Sequence, residues 1–227
     1  MVKIKSVERI ESPKVAVDVV IFTVEDGVLK TLLIKRAAAP FRGAWALPGG
    51  FVRKQEDIYR AALRELKEET GVGGVFLEQL YTFGEPKRDP RGRVISVAYY
   101  ALMSRDPMNL RASSDAAEAR LFPLAKLPSL AFDHKKILAY ALARVGNKIQ
   151  YSNIIWSLLP RHFTLTDIQK MYETIWGRRL DKRNFRKKLL SLGLIKPARK
   201  VLKGLRQRPA QLFAFKTTKL VELRRFF

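Results

Sequence analysis

The chain contains no cysteine, which excludes disulfide bridges and thiolate metal ligands from the start. Histidine is nearly absent too: His134 and His162 stand far apart and make a poor zinc site. Long apolar runs are missing. The most hydrophobic stretch, Val15–Val24, is interrupted by Asp18 and is too short to span a bilayer. Residues 1–13 mix Lys, Glu and Arg without an apolar centre, unlike a secretory signal. The expectation is a soluble, cytoplasmic protein with no membrane partner. Acidic residues are scarce, at 21 Asp and Glu against 44 Lys and Arg, for a formal net charge of +23.

What remains is ordinary for a folded protein: 227 residues, 47% hydrophobic and 29% charged, enough for one large domain or two modest ones. The positive charge is unevenly placed. Residues 151–227 hold 19 basic and 4 acidic side chains, whereas residues 1–150 hold the other 25 and 17. Such asymmetry points to a polyanion partner for the C-terminal part, with a merely solubilising surface as the bland alternative.

In the first part, Val15–Thr23 and Leu29–Ile34 have strand composition, and Asp26-Gly27 between them supplies the positive φ angles of a tight hairpin. A loop rich in Gly and Pro covers residues 36–50. Residues 57–69 then have helical periodicity, with Ile58, Ala62 and Leu66 on one side and Gly71 as the stop. Val75–Phe83, Val94–Met103 and Leu121–Pro123 are further strand candidates, and Asp133–Val145 a further helix. Strands and helices that do not strictly alternate predict an α/β (α+β) sandwich.

The helix from Asp57 carries the sharpest chemical signal. Glu65, Glu68 and Glu69 lie at i, i+3 and i+4, so their carboxylates share one face and repel one another unless cations neutralise them. Oxygen ligands of this kind suit Mg²⁺ or Mn²⁺, which bridge to phosphate oxygens. Arg64 and Glu56 flank the cluster and can orient it. Gly49-Gly50 allows close backbone approach, with a Gly50 carbonyl as a possible ligand. Arg36, Arg88, Arg91 and Arg93 are candidates for holding phosphates, and Phe51 or Phe83 for stacking on a base or for core packing.

The second part changes character. Ser152–Leu159 resembles a short helix. Thr164 and Asp167 form a capping-box pattern before a helix bearing Leu165, Ile168, Tyr172 and Ile175 on one face. Asp181 caps a third helix whose buried stripe is Phe185, Leu189 and Leu192. Lys182, Arg183, Asn184, Arg186 and Lys187 crowd its N-terminal half, the end that helix-turn-helix proteins present to the major groove. Two strand-like runs around a basic turn follow, with Arg206 and Arg208 at the tip as contacts to the backbone or minor groove. Three helices and a hairpin predict a winged helix over residues 148–227, after a first domain over 1–147.

Gly50, Glu56, Arg64, Glu65, Leu66, Glu68, Glu69, Gly71 and Val72 together resemble a complete Nudix box, Gly-x5-Glu-x7-Arg-Glu-U-x-Glu-Glu-x-Gly-U, with no position departing from it. The segments 17–22, 45–52, 88–91, 115–119, 132–134 and 181–185 extend the likeness, and the whole chain is similar to the NrtR-type Nudix-related transcriptional regulators. That resemblance implies a Nudix sandwich fused to a winged helix. It also implies metal ligation by Glu65, Glu68 and Glu69, with Arg64 orienting them. A nucleotide effector such as ADP-ribose, a double-stranded DNA operator and a homodimer are implied as well. The general base of such enzymes often lies outside the box and varies between subfamilies; Glu118 is the first candidate, ahead of Glu85. Sensor members often have a damaged box, and this one is intact. An active Mg²⁺-dependent pyrophosphatase with an accessory basic tail therefore stands as the alternative.

Overall fold

The computed structural model describes residues 12–104, 116–202 and 210–223. Its first part is a seven-stranded mixed sheet between helices. β1 (Lys14–Glu25) and β2 (Val28–Arg36) form the expected hairpin, with Asp26 at φ 53° and Gly27 at φ 73° in the turn. Two short strands inside the Gly- and Pro-rich loop, β3 (Trp45–Ala46) and β4 (Gly49–Phe51), were not legible as strands; β3 adds to β2 and β4 to β1. After α1 (Ile58–Thr70) come β5 (Glu78–Phe83), β6 (Val94–Leu102) and β7 (Ala116–Pro123). β6 runs parallel to β1, and β7 runs antiparallel to β2. β7 starts five residues earlier than its apolar core suggested, because pairing with β2 recruits the alanine-rich segment before Leu121.

β1 is buried on both faces, and its alternation sorts the layers. Val17, Val19 and Ile21 meet Ala61, Ala62 and Leu66 of α1. Val20 and Phe22 face the other way, towards Ile137 and Leu138 of α2 (His134–Lys148). Asp57 caps α1 by accepting from the Tyr59 and Arg60 amides, and Gly71 ends it in the left-handed conformation. Ile58, expected on the apolar face, is instead exposed; Ala61 replaces it in the core.

The second part begins with a 3₁₀ turn at Ile154–Leu158 where a short helix was expected. α3 (Leu165–Trp176) carries the reciprocal Thr164–Asp167 capping box, and Asp181 caps α4 (Lys182–Ser191) through the Asn184 amide. β8 (Ile195–Leu202) and β9 (Ala210–Phe215) pair as the wing. Residues 221–223 pair with 151–153 through Asn153–Val221 and Leu223–Tyr151 bonds, so this segment returns to the junction.

The two parts share one core. Val20, Phe22 and Tyr100 of the sheet, Ile137 and Val145 of α2, and Ile168, Tyr172 and Phe185 of α3 and α4 form a single buried cluster. A boundary at 147/148 therefore falls in the last turn of α2 rather than in a linker. No helix among the described residues is long and apolar enough to cross a membrane.

Candidate functional site

The carboxylate face of α1 lies beneath β4, and two glycines make that contact possible. A Cβ on Gly50 would lie 2.4 Å from Glu65 Oε1, and one on Gly49 would lie 2.1 Å from the Val17 carbonyl. The Gly49 amide donates to Glu69 Oε2 at 2.8 Å. Arg64 then organises the face. Its Nε and Nη2 grip Glu56 in a two-pronged pair at 2.6 and 2.8 Å, while Nη1 reaches Glu65 at 2.7 Å and Glu68 at 3.1 Å. The Arg64 hydrogen bonds hold the Glu56 carboxyl down at about 2.

Glu65 and Glu69 turn together into a cleft of 230 Å³ lined also by Asp18, Arg36, Gly50, Phe51, Arg88, Arg91, Phe132 and His134. Burial pushes the Glu69 carboxyl up to about 8, and the neighbouring Glu65 adds to that against the Gly49 amide. Burial raises Glu65 as well, opposed by Arg64. A buried and a partly buried acid that both disfavour their own charge are suited to a cation, and the Gly50 backbone lies directly against Glu65. Glu68 stands apart at the rim, 42% exposed and held by Arg64 and Arg53. Among the described residues, no three acids converge as a ready-made metal cage.

The remaining expected residues divide. Arg36 lines the cleft, its Nε donating to the Pro40 carbonyl and its guanidinium 5.0 Å over the Phe132 ring. Arg91, forked onto Asp89, lies 4.8 Å over Phe51 and 5.5 Å over Phe132. Arg88 is different. It is buried and clamped by Asp133 at 2.7 and 3.0 Å and by Asp18 at 3.2 Å, so its charge is committed within the protein. Arg93 donates to the Gly84 carbonyl, and Phe83 is core. Glu118 lies on β7 in an ion pair with Arg120, and Glu85 is exposed beside Lys136; neither is among the residues lining the cleft. The acids lining it are Asp18, Glu65, Glu69 and Asp89.

Asp18, Asp89, Phe132 and His134 line the cleft and were missed as site candidates. Burial would raise the Asp18 carboxyl, but His134, Arg88 and Ser96 outweigh it and hold the group at about 2. His134 accepts from the Leu47 amide at 2.8 Å through Nδ1, which leaves the proton on Nε2, 3.2 Å from Asp18. The available signal was a carboxylate inside an apolar strand.

On α4, Phe185 and Leu189 are buried, while Lys182, Arg183, Asn184 and Lys187 are exposed along the outer face. Arg186 is half-buried and donates to Thr166 of α3 at 3.0 Å, which ties the two helices together. Arg206 and Arg208 lie outside the described residues. A larger cavity of 1180 Å³ opens between the two parts, but Glu78 is the sole acid lining it among the described residues, and the carboxylates of α1 are elsewhere.

A glycine-roofed acidic helix on one face of a sheet, with a basic winged helix sharing the core on the other face, defines a Nudix-fold protein equipped to bind nucleic acid. Comparison with known proteins agrees: the NUDIX domain matches residues 12–142 and the NrtR DNA-binding winged helix domain residues 155–215. The ADPR responsive transcriptional repressor NtrR of Acinetobacter baylyi is 40% identical over 209 residues, 90% of this chain and 82% of that protein. The crystal structure of Shewanella oneidensis NrtR complexed with a 27mer DNA superposes with a TM-score of 0.78 at 35% identity, covering 89% of this chain and 93% of that one. The NUDIX domain of the same Shewanella protein complexed with ADP ribose aligns at 37% identity and a TM-score of 0.56, over 60% of this chain and 90% of that one. The chain belongs to the NrtR family of Nudix-linked winged-helix proteins.

Proposed function

We propose that this protein is a DNA-binding transcriptional repressor whose Nudix cleft takes ADP-ribose, or a closely related nucleoside diphosphate, as the signal that releases it from its operator. The observation that carries this reading is the presence of both sites around one sheet: an acid- and arginine-lined cleft, and an exposed cationic helix face. The relatives named above, one ADPR responsive and one seen on DNA, support it. Glu65, Glu69 and the Gly50 carbonyl hold a divalent cation, Mg²⁺ or Mn²⁺, and Glu68 joins them from the rim. When bound, that cation neutralises the diphosphate and activates water. Arg36 and Arg91 face the ligand's phosphates, and Phe51 and Phe132 flank its base. Lys182, Arg183, Asn184 and Lys187 read or grip the duplex, and Arg206 and Arg208 extend the wing. A homodimer on a near-palindromic site completes the proposal.

The test is a gel-shift titration of the protein on its own promoter with ADP-ribose, with and without Mg²⁺. Release of the DNA in the micromolar range of ADP-ribose is expected, and light scattering of the free protein is expected to give twice the chain mass. A complex that ignores ADP-ribose at saturation refutes the sensor.

A second reading is favoured by one observation: the Glu56–Arg64–Glu65 network is complete, as a hydrolase needs. On that reading the same cleft cleaves ADP-ribose to AMP and ribose 5-phosphate. Product analysis in the same titration, with Glu69→Gln as the inactive reference, separates binding from turnover.

A further inference from the structure

The cleft and the reading helix are joined by one rigid element. α2 starts in the cleft wall, where its N-cap Asp133 is gripped by Arg88 and its first residue, His134, accepts from the Leu47 amide. Leu47 lies two residues before Gly49, whose amide holds Glu69. Phe132, just ahead of the helix, has φ 52°, a left-handed conformation that is costly for a bulky aromatic, and its ring lies under Arg36 and Arg91. An anion drawn to either guanidinium therefore acts on a strained joint at the head of α2.

The other end of α2 touches the DNA-binding part. Trp176 Nε1 of α3 donates to the Gly146 carbonyl at 2.9 Å. Residues 134–145 contain neither Gly nor Pro, and at helical rise the two attachment points are about 18 Å apart. α3 passes the constraint on to α4 through the Tyr172–Phe185 ring contact and the Arg186–Thr166 bond. A separate polar link between the parts bypasses α2: Thr174 Oγ1 donates to the Gly27 carbonyl in the β1–β2 turn at 3.3 Å.

We infer that α2 is the transmission rod of this protein: Phe132 and His134 sense the occupied cleft, and the Trp176–Gly146 bond delivers the displacement to α3 and α4. The inference rests on the reading that ADP-ribose governs DNA binding, and adds the route by which it does so. Coupling is the ratio of operator Kd with saturating ADP-ribose to that without it. Trp176→Phe keeps an aromatic ring and removes the N–H donor, while Thr174→Val removes the bypass link. For the full-length protein, Trp176→Phe is expected to lower the ratio at least threefold, with ADP-ribose Kd and ligand-free operator Kd each within twofold of wild type. Thr174→Val is expected to leave the ratio within twofold.

A wild-type ratio of one overturns the sensor reading, and the rod with it. A normal wild-type ratio that survives in Trp176→Phe, or falls equally in both variants, overturns the rod alone. Hydrogen exchange on the wild-type protein gives the same decision if Trp176→Phe does not fold. ADP-ribose is expected to alter amide protection across residues 134–148 and 165–176 and to leave 25–28 unchanged. Unaltered protection over 134–148 in a protein that ADP-ribose releases from DNA refutes the inference.

Discussion

Replacing Gly50 by alanine sets a methyl group where the Glu65 carboxylate now lies, 2.4 Å from Oε1 and 2.5 Å from Cδ. Contacts that short are not tolerated in a close-packed interior, so the carboxylate must swing aside by about 1 Å. The Arg64 bond at 2.7 Å and the alignment of Glu65 beside Glu69 in the cleft are lost together. Misplacing a reacting or binding group by about 1 Å can cost on the order of 10²-fold. Mn²⁺ affinity, read by calorimetry or by the electron spin resonance of free Mn²⁺, is expected to fall ten- to a hundredfold. The melting temperature should move by less than about 2 °C, because a side chain can yield.

Gly49→Ala makes the contrast. Its Cβ would lie 2.1 Å from the Val17 carbonyl and 3.0 Å from the Asp18 Cα, both backbone atoms of β1. Backbone cannot rotate away, so β4 must leave β1. Overpacking of this severity costs about 3 kcal/mol, or roughly 6–12 °C for a chain of this size. Wild-type Mn²⁺ binding in Gly50→Ala, or wild-type stability in Gly49→Ala, would refute the account of β4 as a roof fitted over the acids.

Glu69 gives a pH prediction. Its carboxyl is raised from 4.5 to about 8 in the fold, so the stability it contributes is complete below about 4.5 and is lost as pH rises through 8. With chelator the unfolding free energy is expected to fall between pH 5 and 9, by about 5 kcal/mol at most, with the melting temperature falling alongside it, and Mg²⁺ should abolish the fall; equal slopes with and without Mg²⁺ contradict the site. Asp18→Asn leaves Arg88 with one carboxylate fewer and His134 without its anion, and should cost about 2–4 kcal/mol by denaturant unfolding. Arg183→Ala and Lys187→Ala are each expected to weaken operator binding and to reduce the slope of log K against log salt by about one, with ADP-ribose binding unchanged; an unaltered slope removes those side chains from the phosphate contacts.

The helix carrying the acids was legible because its signals are local. Asp57 and Gly71 mark its ends, and the i, i+3, i+4 spacing of Glu65, Glu68 and Glu69 fixes a face without knowledge of the fold. The capping residues Thr164 and Asp181 were legible for the same reason. Residues whose role depends on distant partners were not. Arg88 reads as a free phosphate ligand until Asp18, 70 residues earlier, and Asp133, 45 later, are seen to clamp it. Arg186 sits among groove candidates in sequence, yet the turn between α3 and α4 brings it to Thr166. β3 and β4 escaped notice because two- and three-residue strands carry no periodicity; pairing with β2 and β1 alone creates them.

The shared cluster around α2 has a practical meaning for anyone recombining such proteins. Ile137, Leu138, Ala141 and Val145 are buried in one cluster with residues of both sheet and winged helix, so neither partner owns that surface. Grafting a foreign DNA-binding unit behind residue 148 would seat it on side chains chosen for another neighbour. A working chimera must carry α2 across with the unit it anchors, and refit the sheet face beneath it.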